Sequence, residues 1–316
     1  MKLSRHSILC TCKCILLCWL IWCTSVEAET AHSTINRGSE ASLVFGYSPR
    51  VFYNVDPKDV VGLIEVWART VDLKLNNRTK SSTIAFKTMA DAEKALSKKE
   101  VDVLVLIPEE YIRLRAKSNI TAVLSADYGK HFYNDLFLLA REGEGVSGIE
   151  QLRGKNMIVD VGQQGSIPIK WLDSLLTAQV SSNAQGFFRS MAEATKSSQA
   201  VMPVFFGQAD SCLVSRNHYE TMVELNPQIG QKLRILERSP GFVTGILAMR
   251  NDLQKTTRDA IAKTLSEMHT DPKGKQIMNL FRINRLVPFK PEHLTSVEKV
   301  LKERRGKTDS VSHRKL

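Results

Sequence analysis

The sequence predicts an α/β protein in which short apolar strands alternate with helices. Apolar runs from residue 43 onward are separated by helical patterns of about 10 to 18 residues, a spacing typical of parallel sheets. Apolar residues within those patterns recur at three- and four-residue intervals, which indicates amphipathic helices. The chain contains no repeat and no Pro- or Gly-rich linker. Two lobes, if present, are therefore joined by strands rather than by a flexible tether.

The first half of the chain holds the clearest elements. Residues 43–47 form a short apolar strand, and a helix over 57–75 presents one apolar face that includes Ile64 and Trp67. The run 101–107 is almost continuously apolar, as expected of a strand buried on both faces. The other predicted elements are a strand at 83–86, a helix capped by Thr88 and Asp91, a helix opening at Pro108, and a strand at 135–140.

The second half repeats the alternation. Strands are predicted at 156–161, 210–214, 233–236 and 245–249, and helices at 168–176 and from about 253, 272 and 291. Ser147 with Glu150, and Ser190 with Glu193, have the spacing of capping boxes for two further helices.

The N-terminus predicts export. Five of the six cysteines lie here: Cys10, Cys12, Cys14, Cys18 and Cys23. Basic residues precede an apolar run, and Val26 and Ala28 supply the small residues that signal peptidase needs. Lys13 interrupts the run, which is short for a membrane span of ~20 residues. We expect residues 1–28 to be a signal peptide cleaved after Ala28, leaving a periplasmic protein; an uncleaved membrane anchor is the alternative.

Cleavage changes the composition of the mature chain. Loss of Lys2, Arg5, Lys13 and Glu27 reduces the 44 basic and 33 acidic side chains to 41 and 32, a net charge of +9. Cys212 then remains alone, so an intramolecular disulfide is excluded. Basic residues do not cluster with aromatics as nucleic-acid binding requires. A mildly basic protein that binds anionic ligands fits this composition.

The chemistry-bearing residues give little support for catalysis. Cys212 lies in an apolar stretch, and the histidines have no metal-ligand spacing. Glu109 and Glu110 are adjacent, and consecutive helix residues do not face each other. The sequence therefore predicts neither an enzyme nor a metal or cofactor site.

Several segments resemble one known family. They are Phe45-Gly46-Tyr47-Ser48-Pro49, 99–105, Tyr111, Tyr133, 138–141, 148–155 and Gln208-Ala209-Asp210. These segments resemble the phosphonate-type periplasmic substrate-binding proteins of ABC importers, over about residues 43–301. The resemblance implies the two-lobe type II periplasmic-binding-protein fold, with mostly parallel sheets flanked by helices and a ligand cleft between the lobes. Lobe one would be 43–138 plus 245–316, and lobe two 139–244.

The resemblance also implies a function. The chain would be the exported solute-binding protein of an ABC importer, a monomer without cofactors that delivers a solute to a permease. Its ligand would be a small oxyanion such as phosphonate, phosphite or phosphate, enclosed when the lobes close. The alternative is a periplasmic sensor or partner-binding protein that uses the same two lobes.

The segment 160–168 is the leading candidate for the ligand site. It follows a strand and opens a helix, where free N–H groups and the helix dipole favour an anion. Gly165 allows close approach of backbone, Ser166 is a good N-cap, and Gln163 and Gln164 carry amide donors. Resemblance places the anion-binding stretch of the family here, although the family's hydroxyl-rich motif is reduced to Ser166. The alternative is a purely structural turn.

Five further residues are predicted to line the cleft. Tyr47 and Ser48 end the first strand, at the carboxyl edge where α/β sheets bind ligands. Tyr111 follows the strand 101–107, and Tyr133 and Asn134 lie near the expected first crossing. The alternative for each tyrosine is a position in the core.

Two charged residues complete the candidate set. Arg189 could pair with an anion, or it could be an ordinary surface arginine. Asp210 could accept a hydrogen bond from a ligand amine, or it could cap the turn that follows Gly207.

Overall fold

The protein is described from a computed structural model, which covers residues 42–52, 56–74, 80–143, 145–280 and 282–302. Its strands are β1 (Val44–Tyr47), β2 (Ser82–Ala85), β3 (Val103–Leu106), β4 (Ile120–Asp127), β5 (Leu136–Arg141), β6 (Asn156–Asp160), β7 (Ser190–Ala194), β8 (Ser211–Ser215), β9 (Leu233–Arg238), β10 (Ile246–Arg250) and β11 (Arg285–Pro288). Its helices are α1 (Pro57–Lys74), α2 (Met89–Ser97), α3 (Pro108–Arg115), α4 (Ile167–Val180), α5 (Ala184–Phe187), α6 (Ser197–Phe205), α7 (Arg216–Leu225), α8 (Pro227–Lys232), α9 (Lys255–Ser266), α10 (Pro272–Leu280) and α11 (Thr295–Lys302).

The first sheet has six strands in the order β11-β4-β10-β3-β1-β2 and defines lobe one. Strands β1, β2 and β3 are parallel, whereas β10, β4 and β11 run antiparallel to their neighbours. Every residue of β1 and β3 is buried, because helices cover both faces of these strands. The apolar face of α1, including Ile64 and Trp67, packs against one face of this sheet as the sequence predicts.

The second sheet has five strands in the order β7-β6-β8-β5-β9 and defines lobe two. Its β6, β7 and β8 strands are parallel, and β5 and β9 are antiparallel to their neighbours. The predicted α/β fold class is confirmed, with sheets that are mixed rather than mostly parallel. The reason is the strand that enters each sheet from the other lobe, which runs against the strands beside it.

The chain crosses between the lobes at residues 128–135 and 239–245. The two crossing segments pair at Asn134 and Phe242, whose backbone groups exchange hydrogen bonds of 2.9 and 3.1 Å. Strand β5 belongs to the second sheet from Leu136 onward. Residues 136–138 therefore lie in lobe two, slightly before the predicted division after residue 138.

Helix α11 makes a third connection between the lobes. Val297 and Val300 are buried in the apolar cluster of lobe two, although β11 before them belongs to lobe one. The carboxylate of Glu298 accepts a hydrogen bond from Arg115 of α3, in lobe one. The predicted assignment of 245–316 to lobe one therefore does not hold for α11, and residues 303–316 lie outside the described part of the chain.

Local signals predicted some element ends correctly and missed others. Thr88 and Asp91 form the predicted capping box of α2. Residues 190–194 form strand β7, so the proposed cap at Ser190 and Glu193 is wrong. The turn at 149–152 is a 3-10 helix in which the Gln151 side chain accepts from Gly148 N, at 2.8 Å, in place of the predicted Ser147–Glu150 cap. Strands β4 and β11 were not predicted.

The predicted signal peptide, residues 1–28, lies outside the described residues. Within the described ranges, no helix is both long and apolar enough to cross a membrane.

A buried ion pair ties together three segments of lobe one. Asp102 accepts hydrogen bonds from Arg250 Nη2 at 2.9 Å and from Val44 N at 2.8 Å. Both charged side chains are less than a tenth exposed. Removal of Arg250 would leave the Asp102 carboxylate buried without this counter-charge, whereas Arg250 also lies 3.4 Å from the more exposed carboxylate of Asp252.

We predict that Asp102→Asn lowers the free energy of unfolding by about 1.5–3 kcal/mol, the value of a hydrogen bond to a charged group, because Arg250 then keeps only the more exposed Asp252, 3.4 Å away, as its counter-charge. Urea denaturation followed by circular dichroism measures the change. The control is Lys117→Ala, which removes an exposed ion pair with Glu93 and should cost about 0–1 kcal/mol. A loss for Asp102→Asn no greater than that of the control would contradict the prediction.

Candidate functional site

The two lobes meet where α3 and α4 begin. Helix α3 follows β3 in lobe one, and α4 follows β6 in lobe two, so both N-termini lie at the carboxyl ends of parallel strands. Glu109, in the first turn of α3, reaches across to Ser166, at the N-cap position of α4. The backbone N–H of Ser166 donates to Glu109 Oε2 at 2.8 Å, and the Ser166 hydroxyl donates to Glu109 Oε1 at 2.6 Å. The predicted anion-binding terminus therefore holds a carboxylate from the facing lobe.

Gly165 makes this close approach of the lobes possible. Its φ of +61° lies in the left-handed region that favours glycine. A Cβ atom built at this position would lie 2.6 Å from Glu109 Oε2 and 3.2 Å from the Cδ1 atom of Ile107. A side chain at residue 165 would therefore displace the carboxylate that Ser166 binds.

Glu109 is a buried carboxylate, only 4% exposed. Burial alone would raise its pKa, but the two hydrogen bonds from Ser166 and the nearby charges of Arg113 and Lys170 outweigh burial and lower it. Arg113 also forms an ion pair with Glu109 along α3. The group at the start of α4 is therefore a charged carboxylate at neutral pH.

Glu110, the next residue, turns back into lobe one. Its carboxylate accepts from the Ser48 hydroxyl at 2.9 Å and from Ile107 N at 3.2 Å. Burial raises its pKa, and the neighbouring charge of Glu109 adds to this increase. Adjacent carboxyl groups with pKa values shifted in opposite directions, at an interlobe contact, are typical of a functional site.

A cavity of 920 Å³ includes Gln163, three residues before Ser166, in its lining. The crossing segments contribute Tyr128 and Thr244 to its wall, next to β4 and β10 of lobe one, and lobe two contributes Gln163, Asn217 and His218. The Gln163 Nε2 atom lies 3.5 Å from the Tyr128 hydroxyl oxygen, so these side chains bridge the lobes at the edge of the cavity. Polar groups that converge on an interlobe cavity can orient a small solute.

The wall of the cavity carries charges of both signs. Asp56, Asp59, Glu220 and Glu224 are its acids, and Lys58, Lys130 and Arg282 its cations. Lys130 is paired with Glu220 at 3.4 Å. Burial, with help from the charge of Arg282, lowers the pKa of His218 against the opposing effect of Asp160. Among the described residues, no group of three or more His, Cys, Asp or Glu side chains is arranged to hold a metal ion.

Two predicted residues pack in lobe one. Tyr47 is 3% exposed, and its ring packs edge-on against Phe52, which lines the cavity. Tyr111 is also buried, and its hydroxyl accepts from Ala122 N of β4 at 3.0 Å. Both tyrosines therefore lie in the core, the alternative given above. Tyr47 contacts the cavity wall only through Phe52.

Two other predicted residues lie at the crossing. Asn134 is buried, and its side-chain oxygen accepts from Asn217 N at 3.1 Å. Tyr133 is 37% exposed and packs edge-on against Phe132. These contacts assign Asn134 to the support of the crossing and of a residue that lines the cavity.

Arg189 and Asp210 lie at the opposite end of lobe two. Both bind residue 156 at the amino end of β6: the side chain of Arg189 donates to Asn156 Oδ1 at 3.1 Å, and Asp210 accepts from Asn156 N at 2.7 Å. Ser166 follows the carboxyl end of the same strand. Arg189 and Asp210, both predicted to line the cleft, thus lie at the end of β6 that is opposite to the start of α4.

Gln164 is buried beside the contact, with 4% of its surface exposed. Neither its amide nitrogen nor its amide oxygen has a hydrogen-bond partner among the described residues. A buried amide that lacks partners costs free energy. This arrangement of the turn before α4 therefore leaves polar groups that another arrangement could satisfy.

The sequence patterns predict neither the role of Glu109 nor the lining of the cavity by Tyr128 and Thr244. As an adjacent carboxylate pair, Glu109 and Glu110 argue only against general acid–base catalysis. A usable signal was their position, since they follow Pro108 directly after the most apolar strand, at the carboxyl edge where ligands bind. Tyr128 and Thr244 lie on the crossing segments and carry no local motif.

Comparison with protein families identifies the class of protein. A family model described as "ABC transporter, phosphonate, periplasmic substrate-binding protein" matches residues 71–294, more than half of the chain. The chain therefore belongs to this family of periplasmic substrate-binding components of ABC transporters, and the resemblance seen in the sequence is confirmed. A search of curated proteins found no match.

Solved structures share the fold. The PhnD1 protein from Prochlorococcus marinus, in complex with methylphosphonate, has a TM-score of 0.64 at 12% identity, over 84% of this chain and 98% of its own. A binding-protein component of an ABC phosphonate transporter from Pseudomonas aeruginosa has a TM-score of 0.63 at 10% identity, over 88% and 90%. The periplasmic aliphatic sulphonate binding protein SsuA from Escherichia coli has a TM-score of 0.55 at 11% identity, over 85% and 94%. At these identities the similarity shows the type II periplasmic-binding-protein fold.

We predict that Gly165→Ala destabilises the protein more than Gly154→Ala. Both glycines have positive φ, +61° and +71°, so alanine at either position costs about 1–2 kcal/mol in backbone energy. A Cβ at Gly154 meets nothing within 4 Å, whereas one at Gly165 meets Glu109. Thermal and urea unfolding measure both variants, and the difference reports the crowding of the new methyl group against Glu109 and Ile107. Equal losses would mean that this crowding costs no stability.

Proposed function

We propose that the chain binds a small solute with an oxyanion group between its lobes and delivers it to an ABC permease. The observation that carries this proposal is the pair of hydrogen bonds from Ser166 to a carboxylate of the facing lobe. A helix N-terminus offers free N–H groups and a positive dipole end to an anion. In the structure, the N–H and the hydroxyl of Ser166 at the start of α4 donate to the anionic Glu109 across the cleft.

The neighbouring cavity supplies the remaining features of a solute site. Its volume of 920 Å³ is large enough for a small polar molecule. Tyr128, Gln163 and His218 bring a hydroxyl, an amide and an imidazole to the same space. The two crossing segments, which pair at Asn134 and Phe242, would act as the hinge between the lobes. Closure about such a hinge encloses the ligand in periplasmic binding proteins.

Phosphonate, phosphite and phosphate are the proposed ligands, with the sulfonates as the nearest competitors. The family description supports phosphonate. Of the solved structures named above, PhnD1 is in complex with methylphosphonate, and SsuA is an aliphatic sulphonate binding protein. The single hydroxyl at Ser166, after Gln163 and Gln164, makes the donor set poorer in hydroxyls than the family pattern. Amide donors also suit carboxylates and sulfonates.

The proposed activity is binding without turnover. Burial raises the pKa of the Cys212 thiol, and the charge of Asp160 raises it further, so the thiol is not a nucleophile at neutral pH. Cys212 is fully buried, in agreement with its predicted inert role.

A second candidate is a periplasmic sensor or partner-binding protein built on the same lobes. The contact between Glu109 and Ser166 favours it, because an interlobe contact made by the chain itself can stabilise one arrangement that a partner reads. ATP hydrolysis by the cognate permease in proteoliposomes separates the two candidates: stimulation that depends on this protein and its solute supports transport. The proposed transport role is that of a monomer, which light scattering in solution measures.

We predict that the exported protein begins at residue 29, because the signal peptide is proposed to end at Ala28. N-terminal sequencing of the protein released from the periplasm measures this directly. A protein that stays in the membrane fraction with residues 1–28 attached would support the alternative of an anchor.

We predict that Ser166→Ala weakens binding of methylphosphonate by about 0.5–1.5 kcal/mol, the net value of a hydrogen bond, because the hydroxyl gives up its bond to Glu109 when it binds the solute. The Ser166 hydroxyl makes no capping bond within α4, so helix α4 itself should remain intact. Isothermal titration calorimetry with methylphosphonate, phosphite, phosphate and methanesulfonate measures the effect.

The control for Ser166→Ala is Ser97→Ala, which removes the hydroxyl of an exposed serine at the end of α2 and should leave both fold and affinity nearly unchanged. Normal binding by Ser166→Ala would place the solute elsewhere in the cleft. No binding of any of the four anions to the wild-type protein would overturn the proposed oxyanion function.

A further inference from the structure

The carboxylate of Glu109 makes the contacts that a bound oxyanion would make. Its two oxygens accept separately from the N–H and the hydroxyl of Ser166, at 2.8 and 2.6 Å. This bidentate pattern at a helix N-terminus is the one that carboxylates and phosphates use. Both donors at this position are therefore committed to a group of the protein itself.

Cations from both lobes hold the carboxylate in place. Arg113 of α3 pairs with Glu109, and the charge of Lys170, on the first turn of α4, also favours the ionised form. A group held from two sides, with its pKa lowered, is a charged link between the lobes. The contact joins residues 57 positions apart in the sequence.

The turn before α4 carries an independent sign of a second arrangement. Gln164 is nine-tenths buried or more, and both polar atoms of its side chain lack partners among the described residues. Native proteins rarely leave both ends of a buried amide unpaired. The contact with Glu109 thus gives both donors of Ser166 a partner, while the side chain of Gln164, two residues earlier, has none among the described residues.

We propose that Glu109 is the specificity-determining residue of the cleft, an internal anion that clasps the lobes and that a solute must displace from the start of α4. The inference rests on the proposed oxyanion function and deepens it. Once displaced, the carboxylate stays tethered to α3 and close to the cleft. Its charge then opposes a doubly charged anion more than a singly charged one, because Coulomb energy scales with the product of the charges.

The test compares Glu109→Ala and the isosteric Glu109→Gln with wild type. The matched control is Glu93→Gln, which removes the same charge from an exposed position on α2 of the same lobe. The first measurement is hydrogen exchange of the peptide that contains Ser166. Its amide is protected by Glu109 in the wild type, so exchange should be faster in Glu109→Ala and unchanged in the control.

The second measurement is calorimetry with two probes of similar shape, methylphosphonate in mildly alkaline buffer, where it is doubly charged, and methanesulfonate, which is singly charged. Glu109→Ala and Glu109→Gln should bind methylphosphonate about tenfold more tightly than wild type, or better. The gain for methanesulfonate should be smaller, and Glu93→Gln should show neither gain.

The outcomes separate this inference from the proposed function. Unchanged exchange at Ser166 together with unchanged affinities would overturn the clasp while leaving oxyanion binding in place. Weaker binding in both Glu109 variants would overturn displacement, since Glu109 would then hold the solute. A third outcome is faster exchange in Glu109→Ala with no binding of either probe by any form. It would overturn both the oxyanion function and the displacement of Glu109 by a solute, and only the interlobe contact would stand.

Discussion

The architecture depends on one topological constraint. The parallel strands next to each crossing run toward the other lobe, so the strand with which the chain enters each sheet runs against its neighbours. Strands β5 and β10 are these strands, and each lies inside its sheet, β5 between β8 and β9 and β10 between β3 and β4. Each crossing therefore ends in a strand that is paired on both sides. The cleft follows from the same arrangement, since α3 and α4 both begin at the carboxyl ends of the parallel strands that remain.

Local sequence signals predicted the elements that local forces determine. The capping box at Thr88 and the buried run around Leu104 depend on neighbouring residues, and the structure contains both. Residues 190–194 have the spacing of a helix cap, yet parallel pairing with β6 makes them a strand. That pairing is a contact with residues more than 30 positions away, which no local pattern records. Strand β4 escaped prediction because polar residues such as Thr121 and Ser125 interrupt its apolar run.

In the candidate site, too, the features that depend on neighbouring residues were predicted and those that depend on long-range contacts were not. The start of α4 was predicted from the turn around Gly165 and Ser166, because strand, glycine and N-cap are consecutive in the sequence. Its partner, Glu109, was not predicted, because the contact exists only when two lobes meet. The rule that adjacent helix residues do not face each other holds for Glu109 and Glu110. The Glu109 carboxylate binds Ser166 of lobe two, whereas the Glu110 carboxylate binds Ser48 within lobe one. Because the two side chains point to different surroundings, the pKa of Glu109 is lowered and that of Glu110 is raised.

Helix α11 determines which parts of the chain move together. Its apolar residues Val297 and Val300 are buried with lobe two, whereas its link to lobe one is a partly exposed ion pair between Glu298 and Arg115. Burial of apolar side chains contributes more than a solvent-accessible ion pair. Separation of the lobes would therefore break the ion pair first and carry α11 along with lobe two. A fluorophore on the exposed Lys299 would then move with lobe two. Sequence order alone would assign that residue to lobe one.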